Sequence, residues 1–274
     1  MFIRRNHTTV KQMIVGLVTL VVVVYLGALA ALWFGQERLL FHPTPIDPAR
    51  NITTGPDIHE RVINVPGARL SVLELRLTEP KGVVFFLHGN AGNLETWFVN
   101  PAFYRKANYD LVMLDYRGYG KSTGRIESEA QLHADVQAVW DEVAPRYTGR
   151  RVVVYGRSLG SGLAARLAVR IQPDLTMLVS PYVSLAAISR EQFPWVPGPV
   201  LRYPLRTDEA LPGIRRPVML IHGERDDLIP PTHSQALKAL VPSVTLAMIP
   251  DANHNDLQKF ESYLEVVSAA LRAL

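Results

Sequence analysis

Residues 151–171 read RVVVYGRSLGSGLAARLAVRI, and this stretch decides the fold. Residues 151–155 form a β-branched, apolar run of strand length, and 163–171 continue in helix-forming residues. Between them Gly156-Arg157-Ser158-Leu159-Gly160 has the spacing G-x-S-x-G, a strand-to-helix turn that holds its central serine in a strained backbone conformation. Glycines two before and two after the serine remove Cβ atoms that would clash where the chain reverses. Ser161 and Gly162 extend the run of small residues. Strand, tight turn and helix together are the repeating unit of an α/β sheet, and a serine raised on such a turn is a candidate nucleophile.

The same rhythm extends to both sides. Residues 83–87, 111–114, 152–155, 175–179, 218–221 and 244–249 are continuous apolar runs. Strands apolar on both sides need helices on both faces, which predicts an α/β fold with a mostly parallel sheet. Residues 58–65 and 69–77 alternate instead and are joined by Pro66-Gly67, which predicts an antiparallel hairpin ahead of the parallel strands. Leu132, Val136, Val139, Trp140 and Val143 share one helical face, with Ser128 and Gln131 placed as a capping box. Leu257, Phe260, Leu264, Val267 and Leu271 repeat the pattern, predicting a last helix that opens just after Asn255 and Asp256. The interval 181–216 breaks the rhythm with six prolines and the aromatics Tyr182, Phe193, Trp195 and Tyr203. It reads either as a lid or binding loop or as a linking helix with a proline-rich return.

A serine hydroxyl needs a base, and on this turn the partners follow in the order serine, acid, histidine. Only His222, His233 and His254 follow Ser158. His222 ends a strand and His233 sits at a helix start, so both read as structural. His254 lies in the polar loop Asp251-Ala252-Asn253-His254-Asn255-Asp256 and is the expected base. The loop after 218–221 offers Asp226 and Asp227; Asp226 is preferred as the acid that fixes the imidazole tautomer, leaving Asp227 as a surface or capping carboxylate. An oxyanion needs backbone donors. Leu159 N–H and, in the small-residue loop His88-Gly89-Asn90-Ala91-Gly92-Asn93, Asn90 N–H are the candidates, while His88 is expected to hydrogen-bond within its own loop.

Five motifs in order, LHGNAGN (87–93), DYRGYGKS (115–122), GRSLG (156–160), HGERDDLIP (222–230) and NHNDL (253–257), together resemble the α/β-hydrolase superfamily. They are most similar to its membrane-anchored serine hydrolases, the serine-aminopeptidase-like or prolyl-oligopeptidase-like branch. The resemblance covers roughly residues 37–274 and implies an eight-stranded, mostly parallel sheet carrying Ser158, Asp226 and His254 as a triad. It also implies esterase, lysophospholipase, acyl-protein thioesterase or peptidase activity. One departure is Asp251-Ala252-Asn253, where relatives commonly carry glycines; this would stiffen the loop before His254.

The chain has 274 residues, 48% apolar and 20% charged, without cysteine and with a formal net charge of +4. Residues 1–38 hold Arg4, Arg5, Lys11 and Arg38 against Glu37 alone, so most of the basic surplus sits there. The remainder is close to neutral and has no long run of like charge, which removes the electrostatic basis for nucleic-acid binding. Residues 12–36 carry no formal charge, a length that spans a hydrocarbon core as a helix. We expect a transmembrane anchor within 1–38 and a hydrolase domain at 39–274 with an insertion at 181–216. The rival readings of the apolar run are a buried core helix and a signal peptide cleaved near Ala28-Leu29-Ala30. Basic residues ahead of the span favour a cytoplasmic N-terminus, placing the hydrolase body in the periplasm of a bacterial inner membrane.

Two further patterns are decoys. Gly118-Tyr119-Gly120-Lys121-Ser122 imitates the end of a phosphate loop, yet Asp115 stands where its first glycine belongs. Gly160, Gly162 and Ala165 imitate a dinucleotide fingerprint without the acid expected about 20 residues on. No cofactor, metal or obligatory protein partner is expected. The expected function is a membrane-anchored serine hydrolase cleaving an acyl ester or thioester of a small molecule or lipid. A serine peptidase on the same residues, or a non-catalytic binding protein of the same fold, are the alternatives.

Overall fold

The structure is a computed structural model that describes residues 4–274, with side chains from Val10 onward, so the basic side chains of Arg4 and Arg5 lie outside the described residues. Its centre is an eight-stranded sheet: β1 (Ile58–Val65), β2 (Ala68–Leu75), β3 (Gly82–Leu87), β4 (Tyr109–Leu114), β5 (Arg151–Arg157), β6 (Leu175–Val179), β7 (Val218–Gly223) and β8 (Thr245–Ile249). In space the order is 1-2-4-3-5-6-7-8. β2 pairs antiparallel with β1 and β4, and the other pairings are parallel. Chain order reverses between β3 and β4, so the loops after β3 and β5 leave the carboxyl edge beside one another, where α/β sheets place their sites.

Every residue of β3 and β4 is buried. Alternation then divides the core: Val83, Phe85 and Leu87 enter one layer with α3 (Glu129–Val143) and α4 (Leu159–Ile171). Val84 and Phe86 enter the other with α2 (Pro101–Ala107) and α7 (Glu261–Arg272). β8, paired only with β7, is the exception to the two-sided apolar expectation, since most of its residues are half-exposed at the sheet edge.

Two helix starts differ from the sequence reading. Ser128 caps α3 by accepting from Gln131 N–H at 3.1 Å, but the Gln131 side chain accepts from Glu127 N–H at 2.9 Å and does not return to Ser128, so the box is half formed. The last helix begins at Glu261, after a short 3₁₀ turn at Leu257–Lys259 that carries the same apolar spacing. Apolar period alone does not separate these two windings.

Arg117, in the loop after β4, makes a bidentate pair with Asp135 of α3 at 2.6 and 2.8 Å and also donates to Pro66 O in the hairpin turn. Both side chains of the pair are 5% exposed. Arg117→Met keeps most of the volume but strands a buried carboxylate, and should cost about 3–5 kcal/mol by urea unfolding of the detergent-solubilised protein.

Ahead of the sheet, α1 (Arg4–Leu40) is a single helix, continuing past the expected boundary at residue 38. Within Val10–Leu40 the most apolar 18-residue window has a mean hydropathy of 2.6, so the helix is long and apolar enough to cross a membrane. Its two halves behave differently. From Val10 to Leu26 the apolar side chains face outward, whereas Leu29, Leu32 and Gln36, spaced at helical period, turn toward the body. Gln36 donates to Val200 O and accepts from Arg202 N–H, and Tyr25 Oη donates to Trp195 O. The interval 181–216 therefore contains α5 (Leu185–Gln192) followed by a proline-rich return that leans on α1, with Phe193 and Trp195 left exposed beside it. α6 (Thr232–Leu240) lies between β7 and β8.

Candidate active site

β5 delivers the serine. Ser158 has φ 52° and ψ −120°, a left-handed conformation that a non-glycine residue adopts only when its surroundings enforce it. The flanking glycines are required by contact. A Cβ on Gly156 would stand 2.4 Å from Gly160 O, and one on Gly160 would stand 2.1 Å from Leu87 O. The second clash is with the end of β3, so Gly160 also sets how closely the serine turn approaches the loop after that strand. Gly160→Ala should cost about 3 kcal/mol through overpacking, read as a lowered Tm, while Gly198→Ala, with open space around the same atom, leaves Tm nearly unchanged.

The three side chains singled out from the sequence come together. His254 Nε2 is 3.1 Å from Ser158 Oγ, and His254 Nδ1 is 2.8 Å from Asp226 Oδ2. Serine, histidine and aspartate are 8, 5 and 4% exposed. Asp226 Oδ1 is already occupied by the N–H groups of Leu228 and Ile229 at 3.1 and 2.8 Å. The carboxylate thus accepts from Nδ1–H, leaving the Nε2 lone pair toward the serine hydroxyl. Burial opposes the Asp226 charge, but hydrogen bonds from His222, His254 and Ile229 N–H outweigh it and hold the carboxyl well below the ordinary carboxylate range. Asp227 is exposed and takes no part.

Of the other histidines, His233 accepts from Val183 N–H at 3.3 Å, the structural place the sequence suggested. His222 is structural as well, bonded to Ser234 Oγ and Ile229 O at 2.7 and 2.8 Å, yet its Nε2 also lies 3.3 Å from Asp226 Oδ2. It braces the Asp226 carboxylate, a role invisible in a histidine that merely ends a strand. His88 Nδ1 donates to Gly89 O at 2.7 Å, within its own loop as expected.

Leu159 N–H opens α4, where the first amides have no intrahelical acceptor. Among the described residues neither it nor Asn90 N–H has a hydrogen-bond acceptor. The Asn90 side chain is a fastening that sequence reading missed. It donates to Leu40 O at 2.6 Å and accepts from Tyr119 Oη at 2.9 Å and His42 N–H at 3.2 Å. Tyr116 Oη holds the same loop by donating to His88 O at 2.9 Å. The Asp115-to-Ser122 motif, a phosphate-loop decoy by spacing, thus serves to clamp the loop after β3.

The His254 loop is tied by Arg157 Nη2, which donates to His254 O at 2.9 Å, and by Arg225 N–H, which donates to Ala252 O at 2.9 Å. Asp251, standing where glycine was expected, has φ 60° and pairs with Arg225 at 2.5 Å. Aspartate tolerates that left-handed conformation better than most residues, so the departure leaves the turn in place.

A sheet of this order, with a serine turn at the carboxyl end of its central strand, defines an α/β hydrolase, and the chain belongs to that superfamily. The family described as serine aminopeptidase, S33, matches residues 78–207. An α/β hydrolase domain-containing protein 17B of Xenopus tropicalis is 30% identical over 206 residues, covering 73% of this chain and 69% of the relative. An uncharacterized protein of Mycobacterium tuberculosis is 30% identical over 250 residues, 87% of each chain. Among solved structures, an esterase of Pyrococcus furiosus superposes with a TM-score of 0.67 at 21% identity, covering 85% of this chain and 97% of its own. Est1E of Butyrivibrio proteoclasticus with bound ferulic acid gives 0.64 at 19% identity, covering 78 and 96%. The protein is a hydrolase by family, and its long apolar N-terminal helix is a candidate membrane anchor.

Proposed function

We propose that the protein is a membrane-anchored serine hydrolase that cleaves an acyl ester or thioester through an acyl-enzyme on Ser158, His254 and Asp226. The observation that carries this reading is the hydrogen-bonded chain from Ser158 Oγ through the His254 ring to Asp226, at 3.1 and 2.8 Å. In the first step His254 Nε2 takes the serine proton as Oγ attacks the acyl carbonyl. The amides of Asn90 and Leu159 receive the oxyanion. His254 then returns the proton to the departing alcohol or thiol, and a water activated by the same nitrogen releases the acid and restores Ser158. Asp226 holds the ring in the required tautomer and stabilises the imidazolium.

The anchor reading is supported by the outward apolar face from Val10 to Leu26. The docking of Tyr25, which lies ahead of Ala28-Leu29-Ala30, on Trp195 O supports retention of the helix over cleavage there, because this contact belongs to the folded body. Exposed Phe193 and Trp195, fastened beside Tyr25, suit the membrane–water interface. The hydrolase body then rests on the bilayer, in a bacterium on its periplasmic side, with the N-terminus cytoplasmic.

The test of the reaction class is a rate comparison with the full-length protein in detergent: p-nitrophenyl esters of increasing acyl length against aminoacyl nitroanilides. Faster ester cleavage is expected. Preference for the anilides would make the protein a peptidase on the same residues.

A further inference from the structure

Two arginines are buried among the described residues, and they are treated oppositely. Arg117, 6% exposed, is neutralised by its bidentate aspartate. Arg157, 8% exposed, has no carboxylate within ion-pair distance among the described residues. Its guanidinium has one hydrogen bond, from Nη2 to His254 O, and lies 5.4 Å from the centre of the Trp97 ring. Nε and Nη1 donate to nothing within the described residues yet are not among the fully buried unpartnered atoms, so they are open to solvent, and the side chain forms part of the wall of a cavity of about 460 Å³.

A guanidinium cannot shed its charge, and burying it without an anion is costly. A cation–π contact and one carbonyl meet part of that cost within the protein, and the remaining donors are left for water or a ligand. The cavity wall is otherwise apolar or neutral, with Phe86, Phe103, Met113 and Leu264 among its residues and no aspartate or glutamate. Its size is that of a small-molecule site. It also adjoins the reacting groups. Arg157 immediately precedes Ser158, and Asn255, another wall residue, follows His254. A Cβ at Gly89 would touch both Trp97 of the cavity wall, at 2.8 Å, and Ser158 Cβ, at 3.5 Å, so the cavity wall and the serine are neighbours across Gly89.

We propose that this cavity is an anion subsite: Arg157 receives a carboxylate or phosphate carried on a short apolar chain by the acyl substrate, a few atoms from the bond that Ser158 attacks. The substrate class, resting on the hydrolase reading above, is an acyl ester or thioester with an oxyanion group. The open N–H groups lie on different edges of the guanidinium, and either edge can give such a group a charge-assisted hydrogen bond. The same wall carries a cation and no carboxylate, so it offers nothing to pair with the α-ammonium of an aminopeptidase substrate.

The test has a binding arm and a kinetic arm, both on the full-length protein in detergent. By calorimetry, Ser158→Ala protein should bind butyl phosphate and pentanoate at least about tenfold more tightly than 1-pentanol, a margin set by a charge-assisted hydrogen bond. Adding Arg157→Gln, which keeps a donor for His254 O but removes the charge, should bring all three to one level, with Arg157→Lys between. Equal affinity for the alcohol, or anion affinity unchanged in Arg157→Gln, overturns the subsite and leaves Arg157 as a tether for the His254 loop. In turnover, the mono-p-nitrophenyl ester of adipic acid should exceed p-nitrophenyl hexanoate in kcat/KM by a similar factor, and the ratio should collapse in Arg157→Gln. Hydrolysis of both esters at equal rates, without anion binding, refutes the subsite while the hydrolase reading stands. Charge-dependent anion binding without hydrolysis of either ester refutes the hydrolase reading while the subsite stands.

Discussion

Ser158→Ala should lower kcat by about 10⁴- to 10⁶-fold with any substrate the protein turns over, the loss seen when a nucleophile that acts as one unit with its base is removed. The hydroxyl has a single partner within the described residues, His254 Nε2. Its removal therefore leaves no buried polar group stranded beyond a ring nitrogen that remains held through Nδ1. Alanine keeps the Cβ and the left-handed φ already imposed on serine, so stability should change by no more than about 1 kcal/mol. Parallel urea melts and single-turnover kinetics separate the two quantities. A fall in activity matched by a large fall in stability would point to a damaged turn instead of a missing nucleophile.

Asp226→Asn should cost about 10⁴-fold in kcat for a different reason. The two backbone N–H groups now on Oδ1 keep an oxygen acceptor, so the amide nitrogen is left facing His254 Nδ1. An amide N–H there requires Nδ1 to accept, which moves the ring proton to Nε2 and points it at Ser158. The base then has no lone pair for the serine. The variant also carries a pH signature. The folded carboxyl titrates below its ordinary range, so Asp226 contributes stability that is fully present above that range and is lost as pH falls toward the folded value. The stability gap between wild type and Asp226→Asn, measured by urea unfolding, should narrow as pH is lowered from 7 to 3; a gap that widens would contradict the burial and hydrogen bonding assigned to this group.

The sheet was legible because strands buried on both faces must be apolar at consecutive positions, as 83–87 and 111–114 are. Ser158, Asp226 and His254 were legible because each closes a strand-to-loop transition, in an order the nucleophile turn imposes. Other features depended on spatial neighbours that no spacing reports. Arg157 occupies the unrestricted x of G-x-S-x-G, and its meaning comes from Trp97, which lies on a short helix sixty residues earlier. His222 looked like a strand-ending residue because the aspartate it braces is brought to it only by the fold of the loop that follows. The fastening of Asn90 to Leu40 joins the loop after β3 to the end of an apolar helix, a contact between segments fifty residues apart. The start of the last helix was misplaced because a 3₁₀ turn continued the helical spacing through Leu257 and Phe260.

The central claim is that Ser158 is a nucleophile activated by His254. A fluorophosphonate probe reads this without knowledge of the substrate, since it reacts with an activated serine and remains attached. Intact-mass analysis of the full-length protein should show one adduct on the wild type and none on Ser158→Ala, with labelling slowed severely in Asp226→Asn. A wild-type protein that takes no label, or a Ser158→Ala variant that labels equally, would contradict the account.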